Sequence, residues 1–470
     1  MPAEPGPGPR PDAAVVAELR RPRRVHVVGV GGVGMSAIAT ILSGMGHTVS
    51  GSDVKASPVT DRLAASGITV AIGHDPSHVA GADLVTFSPA VPEDNVELEA
   101  ARRQGVEVLR RSAVLAGLAV SRRSVAVAGT HGKTTTASML SLVLVGAGMH
   151  PSFLIGADVN ETGTNAAWGT GDWLVMEADE SYGSFGGLAA EVALVTNVEP
   201  DHLDHYGTFD ALVDAFGRFL GAARTRVVSA DDPVASRLGA ATGAVSVGTA
   251  PGATYGITEL SVARSAVAFD LHGPGGRLGR IEVPVPGAHN ARNAALAAVG
   301  AISAGASFAD AAGALARFAG VPRRFEFRGE AGGVTFVDDY AHLPTEVRAT
   351  LAAARAGGWA RIVAVFQPHR YTRTAALAPS FATAFDDADL VFVTDVYSAG
   401  EPVVPGVSGR LVADAVNAHR PDRPVVYVSS RDELRAAVDA MLRPGDLCCT
   451  LGAGDLTTLP DELIARRRGS

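Results

Sequence analysis

The residues best equipped for chemistry lie between Ala128 and Thr136, in the run Gly129-Thr-His-Gly-Lys-Thr134 followed by Thr135 and Thr136. Glycines in such a loop let backbone N–H groups close around a polyphosphate, and a lysine in it reaches the outer phosphates. A hydroxyl placed as Thr134 is suits a Mg2+ ion that travels with a nucleotide. Gly129, Thr130, His131, Gly132, Lys133, Thr134 and Thr135 are therefore the candidate polyphosphate-binding residues. The strict pattern would put its first glycine at position 127, where this chain has Val127, so the loop is a shorter variant. Of the 40 cationic residues only Lys55 and Lys133 are lysines, which leaves 40 − 2 = 38 arginines. A compact ammonium has been kept where a planar guanidinium fits poorly.

Two elements must hold this loop. Ser124–Ala128 is apolar and β-branched enough for a buried strand, and Ala137–Val145 has helical composition. A second glycine loop, Gly29-Val-Gly-Gly-Val-Gly34, follows a strand at Arg24–Val28 and opens a helix at Met35–Leu42. About twenty residues on, Asp53 ends a strand, where a ribose contact is expected. Gly29, Gly31, Gly34 and Asp53, with Ser88 at a turn after another strand, form a second candidate nucleotide site. Taken alone they predict a nicotinamide oxidoreductase. A solvated acid at a strand end is the plainer alternative for Asp53.

Further candidates sit at strand ends, where open α/β sheets bind ligands. Asp172–Glu177 ends in an acid, and Val192–Asn197 runs into Glu199-Pro-Asp-His-Leu-Asp-His205. Carboxylates opposite a phosphate loop suit a hard divalent cation. Gly287-Ala-His-Asn-Ala-Arg-Asn293 opens an Ala-rich helix. Val334–Asp339 leads into Tyr340-Ala-His-Leu-Pro344, and Arg361–Phe366 delivers Gln367-Pro-His-Arg-Tyr-Thr-Arg373. Two arginines spaced as Arg370 and Arg373 are can grip a carboxylate; a structural pairing with Asp386 or Asp387 is the alternative.

The frame is α/β. Strands alternate with Ala-rich helices, as in parallel sheets covered on both faces. Residues 243–286 read as antiparallel hairpins. A length of 470 suggests three domains: a Rossmann-like one over 23–119, a central phosphate-loop domain over 120–319, and a Rossmann-like one over 320–470. Residues 1–22, rich in Pro, Ala and Gly, read as a disordered tail with a helical attempt at Ala13–Leu19 and no secretory signal. Net charge of −9 argues against a nucleic-acid binder. No apolar run is long enough to cross a membrane. The adjacent Cys448 and Cys449 cannot build a disulfide framework, which points to a reducing compartment and a cytoplasmic protein.

Taken in order, the motifs resemble the Mur ligase family, and its alanine-adding branch in particular. They are His26-Val-Val-Gly-Val-Gly-Gly-Val-Gly-Met-Ser36, Ala128-Gly-Thr-His-Gly-Lys-Thr-Thr135, Glu177-Ala-Asp-Glu-Ser181, Asn197-Val-Glu-Pro-Asp-His202, Gly287-Ala-His-Asn290, Arg323-Arg-Phe-Glu326, Asp338-Asp-Tyr-Ala-His342 and Gln367-Pro-His-Arg-Tyr-Thr-Arg-Thr374. The resemblance covers about Arg24 to Asp455. It implies a ligase that uses ATP and Mg2+ to join L-alanine to the muramyl carboxylate of UDP-N-acetylmuramate through an acyl phosphate, in peptidoglycan precursor synthesis.

The first glycine loop would then cradle a UDP-sugar in place of a dinucleotide. Lys133, Glu177, His202, His342, Arg370 and Arg373 match catalytic positions, and Thr134, Glu177 and His202 match metal ligands. His289, Asn290 and Asn293 match positions at the adenine. Arg324 and Asp339 match groups at the phosphates and ribose, and Tyr340, His342, Arg370 and Arg373 match the amino-acid pocket. The resemblance carries no nucleic-acid partner and no membrane insertion, and the expected assembly is a monomer or weak homodimer. Two departures stand out: Tyr182 where the family has an acid, and Leu343 where it has a second histidine. They leave open a divergent paralogue with another amino-acid or peptide substrate.

Overall fold

The structure is a computed structural model, and it describes residues 19–469 apart from 182–184 and 186. Tyr182 and most of the N-terminal tail lie outside the described residues. The tail expectation fails from Leu19 onward. Leu19 is buried, and its carbonyl is bonded to the His47 ring.

The chain forms two compact units. The first comprises most of residues 1–318, and the second comprises residues 319–470 with the short stretches 259–269 and 282–291. In the first unit, β1 (Arg24–Val28), β2 (Thr48–Asp53), β3 (Thr69–Ile72), β4 (Leu84–Phe87) and β5 (Glu107–Arg110) make a sheet in the order β3-β2-β1-β4-β5. All neighbouring strands in it are parallel. The glycine loop leaves the central strand β1 and enters α1 (Val33–Gly44).

The second sheet has ten strands: β6 (Arg123–Ala128), β7 (Ser152–Val159), β8 (Thr164–Ala167), β9 (Trp173–Glu177), β10 (Val192–Val195), β11 (Thr225–Ser229), β12 (Val245–Gly248), β13 (Tyr255–Val262), β14 (Val267–Gly273) and β15 (Gly276–Val283). Their order is β15-β14-β13-β12-β11-β10-β6-β9-β7-β8. The strand that feeds the phosphate loop, β6, lies between β10 and β9, parallel to both. Val125 to Ala128 and all of β10 are buried on both faces, which is why they read as unbroken apolar runs. The hairpin expectation for residues 243–286 begins too early. Val245–Gly248 is a further parallel strand beside β11. The tight turn comes later, where the Ala263 N–H donates to the Ala266 carbonyl.

In the second unit, β16 (Glu326–Ala331), β17 (Val334–Asp339), β18 (Arg361–Phe366), β19 (Leu390–Val393), β20 (Val425–Tyr427) and β21 (Asp446–Leu451) run in the order β16-β17-β21-β18-β19-β20. Only β16 is antiparallel to its neighbour. Cys448 and Cys449 are free and buried in the central strand, where burial pushes the Cys448 thiol up to about 12. They are core residues with no reactive thiolate.

Candidate active site

The phosphate loop is built between β6 and α2 (Lys133–Gly146). Gly129 has φ +137° and Gly132 has φ +79°, both in the region that favours glycine. Space demands the same residue. A Cβ on Gly129 would lie 2.0 Å from the Thr196 hydroxyl, and one on Gly132 would lie 2.6 Å from the Asn293 carboxamide oxygen. The segment after β10 ties the loop down. The His131 N–H donates to Asn197 Oδ1 at 2.8 Å, and Asn197 Nδ2 donates back to the His131 carbonyl at 3.0 Å. The Glu199 N–H donates to the Thr130 hydroxyl at 2.8 Å, and the His131 ring lies 3.2 Å from Glu199 Oε2.

Lys133 was expected to point at phosphates. Here its ammonium donates to both carboxylate oxygens of Glu180, each at 2.9 Å, and to the Gly129 carbonyl at 2.5 Å. Burial works against this charge, but Glu180 and Asp179 outweigh it and hold the lysine pKa above its ordinary value. Glu180 has no place among the residues picked from sequence. Its signal was an acid next to Asp179 in the loop after the strand-end Glu177, and nothing local shows which of the two turns inward.

The metal candidates also regroup. The described side chains that converge are Asp179, Glu180 and His202, whose ligand atoms lie within 4.8 Å of one another. Glu177, matched with His202 as a metal ligand, accepts from the Gly156 N–H at 2.6 Å and from the Thr134 hydroxyl. Desolvation raises its pKa. Burial would raise Asp179 too, but Lys133 and the Ser181 hydroxyl bring it below the usual carboxylate value. His202 sits at φ +53°, a conformation non-glycine residues rarely adopt and one that collects at functional sites. The structure thus joins Thr134 to Glu177 and Lys133 to the set containing His202, and the charges of Lys133 and Asp179 reach Glu177.

On α3 (Ala288–Ala304), Asn293 faces the phosphate loop and Asn290 donates to the Pro286 carbonyl at 2.7 Å. His289 lies against Gly287, where a Cβ would come within 2.5 Å of its ring. Arg292, between them, bonds Asp231 at 2.7 Å.

At the first glycine loop, Gly29 and Val30 donate to the Ser52 carbonyl, and a Cβ on Gly29 would meet Ser88 at 3.0 Å. The Asp53 carboxylate accepts the Gly31 N–H at 2.9 Å and so braces the loop. Just beneath, the buried Glu97 accepts from the Ser52 hydroxyl at 2.5 Å and lies against His78 at 2.6 Å, His74 at 3.2 Å and His26 at 3.6 Å. Sequence reading singled out neither Glu97 nor His74 nor His78, and met His26 only as the first residue of a motif.

The second unit gathers its own set. Asp339 is buried and accepts the Phe325 and Ala341 N–H groups, each at 2.7 Å; desolvation lifts its pKa to about 6. The guanidinium of Arg324 lies over the Tyr340 ring and 3.9 Å from Glu346. His342 packs edge-on to Tyr340 and faces Glu346 at 3.2 Å. The carboxylate partner of Arg370 is Glu401, at 3.1 Å, while Asp386 pairs with His419. That rules out Asp386 as the anchor of Arg370. Arg373 lies 3.0 Å from His369 Nδ1. Burial, and then the charges around it, press the His369 pKa down to about 3, so the ring is neutral and accepts from the arginine. His369 stacks on Tyr397 and was missed as a site residue, although it sits inside a motif already noted. Leu343 is buried at the start of α4 (Pro344–Ala356), where its N–H donates to Glu346. Arg323, Phe325 and Arg370 all have positive φ.

Comparison with known proteins decides the family. Three family models match in sequence: Mur ligase family, catalytic domain, over residues 24–123; Mur ligase middle domain over 127–301; and Mur ligase, glutamate ligase domain, over 323–454. The chain belongs to the Mur ligase family. It is 43% identical to a UDP-N-acetylmuramate–L-alanine ligase of Pelotomaculum thermopropionicum, covering 95% of this chain and 98% of that one. It is 45% identical to the enzyme of the same name from Gloeobacter violaceus, covering 94% and 95%. Among solved structures, the UDP-N-acetylmuramate–alanine ligase of Thermotoga maritima superposes with a TM-score of 0.80 at 28% identity, over 95% of this chain and 99% of that one. In this Mur ligase the dinucleotide reading of Gly29–Gly34 has no further support. No helix among the described residues is long and apolar enough to cross a membrane.

Proposed function

We propose that this Mur ligase joins L-alanine to the muramyl carboxylate of UDP-N-acetylmuramate, at the expense of ATP and through an acyl phosphate. The observation that carries this reading is the 43–45% identity to ligases of that name over 94–95% of the chain. Cytoplasmic peptidoglycan precursor synthesis is the setting that follows.

Each residue set has a role in this reaction. The glycine loop at Gly29, Gly31 and Gly34, with Ser88, holds the UDP-sugar, and Asp53 stiffens the loop through Gly31. Backbone N–H groups of Gly132 to Thr135, where the loop enters α2, hold the ATP phosphates on a loop shaped by Gly129, Thr130 and His131, and His289, Asn290 and Asn293 lie toward the adenine. Lys133 carries the positive charge that stabilises the phosphoryl group in transfer. Arg324 and Asp339 serve the phosphates and ribose.

The donor set fits Mg2+: Asp179 and Glu180 supply hard oxygens, His202 adds a weaker ligand, and Thr134 and Glu177 offer oxygens nearby. Bound there, the ion would offset charge on the phosphates as the acyl phosphate forms. In the second unit, Arg370 and Arg373 hold the L-alanine carboxylate beside Tyr340 and His342. Glu401 fixes the first arginine and neutral His369 the second.

The test is phosphate release from ATP with UDP-N-acetylmuramate and a panel of amino acids. L-alanine should give the highest kcat/KM, with glycine and serine poor but detectable. Absence of amino-acid-dependent phosphate release would overturn the proposal.

A further inference from the structure

Three loops converge at the carboxyl edge of the first sheet. The glycine loop follows β1, Ser88 follows β4, and Arg111 follows β5. Gly34, in the first turn of α1, has no side chain where a Cβ would fall 2.7 Å from the Arg111 guanidinium. Arg111 therefore lies directly on that turn. It is half-buried, and its Nε is shut off from solvent with no hydrogen-bond partner among the described residues.

Leaving a buried donor unpaired costs free energy, more so on a charged group. The position makes the cost harder to explain from the protein alone. A helix N-terminus carries partial positive charge, and the first turn of α1 holds no acid to offset it. A guanidinium there is cation facing cation. The charge of Arg111 also reaches Asp179, of the cluster with Glu180 and His202.

We propose that Arg111 binds an oxyanion of the UDP-sugar, gripped between its guanidinium and the backbone of the glycine loop. The inference rests on the ligase reading above. A fork of N–H donors suits either oxyanion source in that substrate, the diphosphate or the lactyl carboxylate. It makes Gly34 a residue that leaves room for a cation, in addition to letting a helix pack.

Calorimetry on the full chain tests it, with UDP-N-acetylmuramate, UDP-N-acetylglucosamine (which keeps the diphosphate and lacks the carboxylate) and ATP as titrants. Wild-type protein that fails to bind UDP-N-acetylmuramate sinks the ligase reading itself. Where wild type binds, Arg111→Ala should weaken UDP-N-acetylmuramate about 10- to 100-fold, leave ATP unchanged, and raise KM for the UDP-sugar alone. Arg111→Lys should recover part of the loss. Weakening of both UDP-sugars assigns the diphosphate; weakening of the muramyl compound alone assigns the carboxylate. Gly34→Ala, which pushes the guanidinium aside without removing it, should show the same ligand pattern and serves if Arg111→Ala does not fold. Unchanged UDP-sugar affinity in a folded Arg111→Ala protein, or equal loss of ATP binding, overturns the proposal.

Discussion

The Lys133 ammonium sits 2.9 Å from each oxygen of the Glu180 carboxylate, and the Glu180 side chain is 2% exposed. The phosphate-loop cation is therefore half of a sequestered ion pair. Removing it strands a charge with little access to water, at a cost of about 3–5 kcal/mol.

Lys133→Ala should accordingly lose ATP-dependent turnover by orders of magnitude and also lower the melting temperature. The double variant Lys133→Ala/Glu180→Gln should recover stability and stay inactive. Thermal unfolding and phosphate release separate the two effects. A single variant as stable as wild type would show that the pair is not closed in solution.

Glu97 sets an acid limit. Burial works against its charge, and the close approach of His26 with hydrogen bonds from Ser52 and His78 more than offsets this, bringing its pKa to about 2 against an ordinary 4.5. A carboxyl depressed in the folded state stabilises above the unfolded value and loses that contribution as pH falls through the folded one. Stability should therefore decline between about pH 4.5 and 2, by roughly 3 kcal/mol from this group. Glu97→Gln should be less stable at neutral pH and flatter across that window, as read from urea unfolding at each pH.

Arg373→Ala should raise KM for L-alanine about 10- to 100-fold, the loss of one charged hydrogen bond, with little change in KM for ATP. His369 is neutral beside it, with a pKa near 3. Hence the alanine KM should not respond to protonation of this ring between pH 8 and 5. If Arg373→Ala kept the alanine KM and abolished ATP binding, the amino-acid pocket would be misplaced.

Two glycines separate strain from clash. Gly129 has φ +137° and a Cβ there would lie 2.0 Å from Thr196, whereas Gly148 has φ +70° and nothing within 4 Å. Gly148→Ala should cost only backbone strain, about 1 kcal/mol. Gly129→Ala should cost more and weaken ATP binding, as measured by denaturation and calorimetry on both variants.

Strand-end motifs were legible in the sequence because apolar runs flanked by glycine loops leave few alternative structures. Gly129, Gly132 and Gly31 fall at the turns their spacing implied. The partners of Lys133 and Asp53 were not legible. Glu180 lies 47 residues from Lys133, and its neighbour Asp179 has the same chemistry, so only the path of the loop after β9 chooses between them. Asp53 was legible as an acid at a strand end, but its bond to the Gly31 N–H depends on how the glycine loop folds back over β2. Val245–Gly248 looked like a hairpin arm because it alternates Val with Ser and Gly and lacks the unbroken apolar run of β6 and β10, although it lies between β11 and β13 and is parallel to both.

The scarcity of lysine gives the molecule a practical property. Of its two ε-amines, Lys55 is exposed and Lys133 is clasped by Glu180. An amine-selective dye acting on side chains should therefore tag a single outward position. Because the Lys55 backbone N–H bonds Asp53, which in turn braces the glycine loop, a fluorophore attached there would sit two residues from that brace. The chain carries a built-in handle for an optical reporter, with no cysteine needing to be engineered.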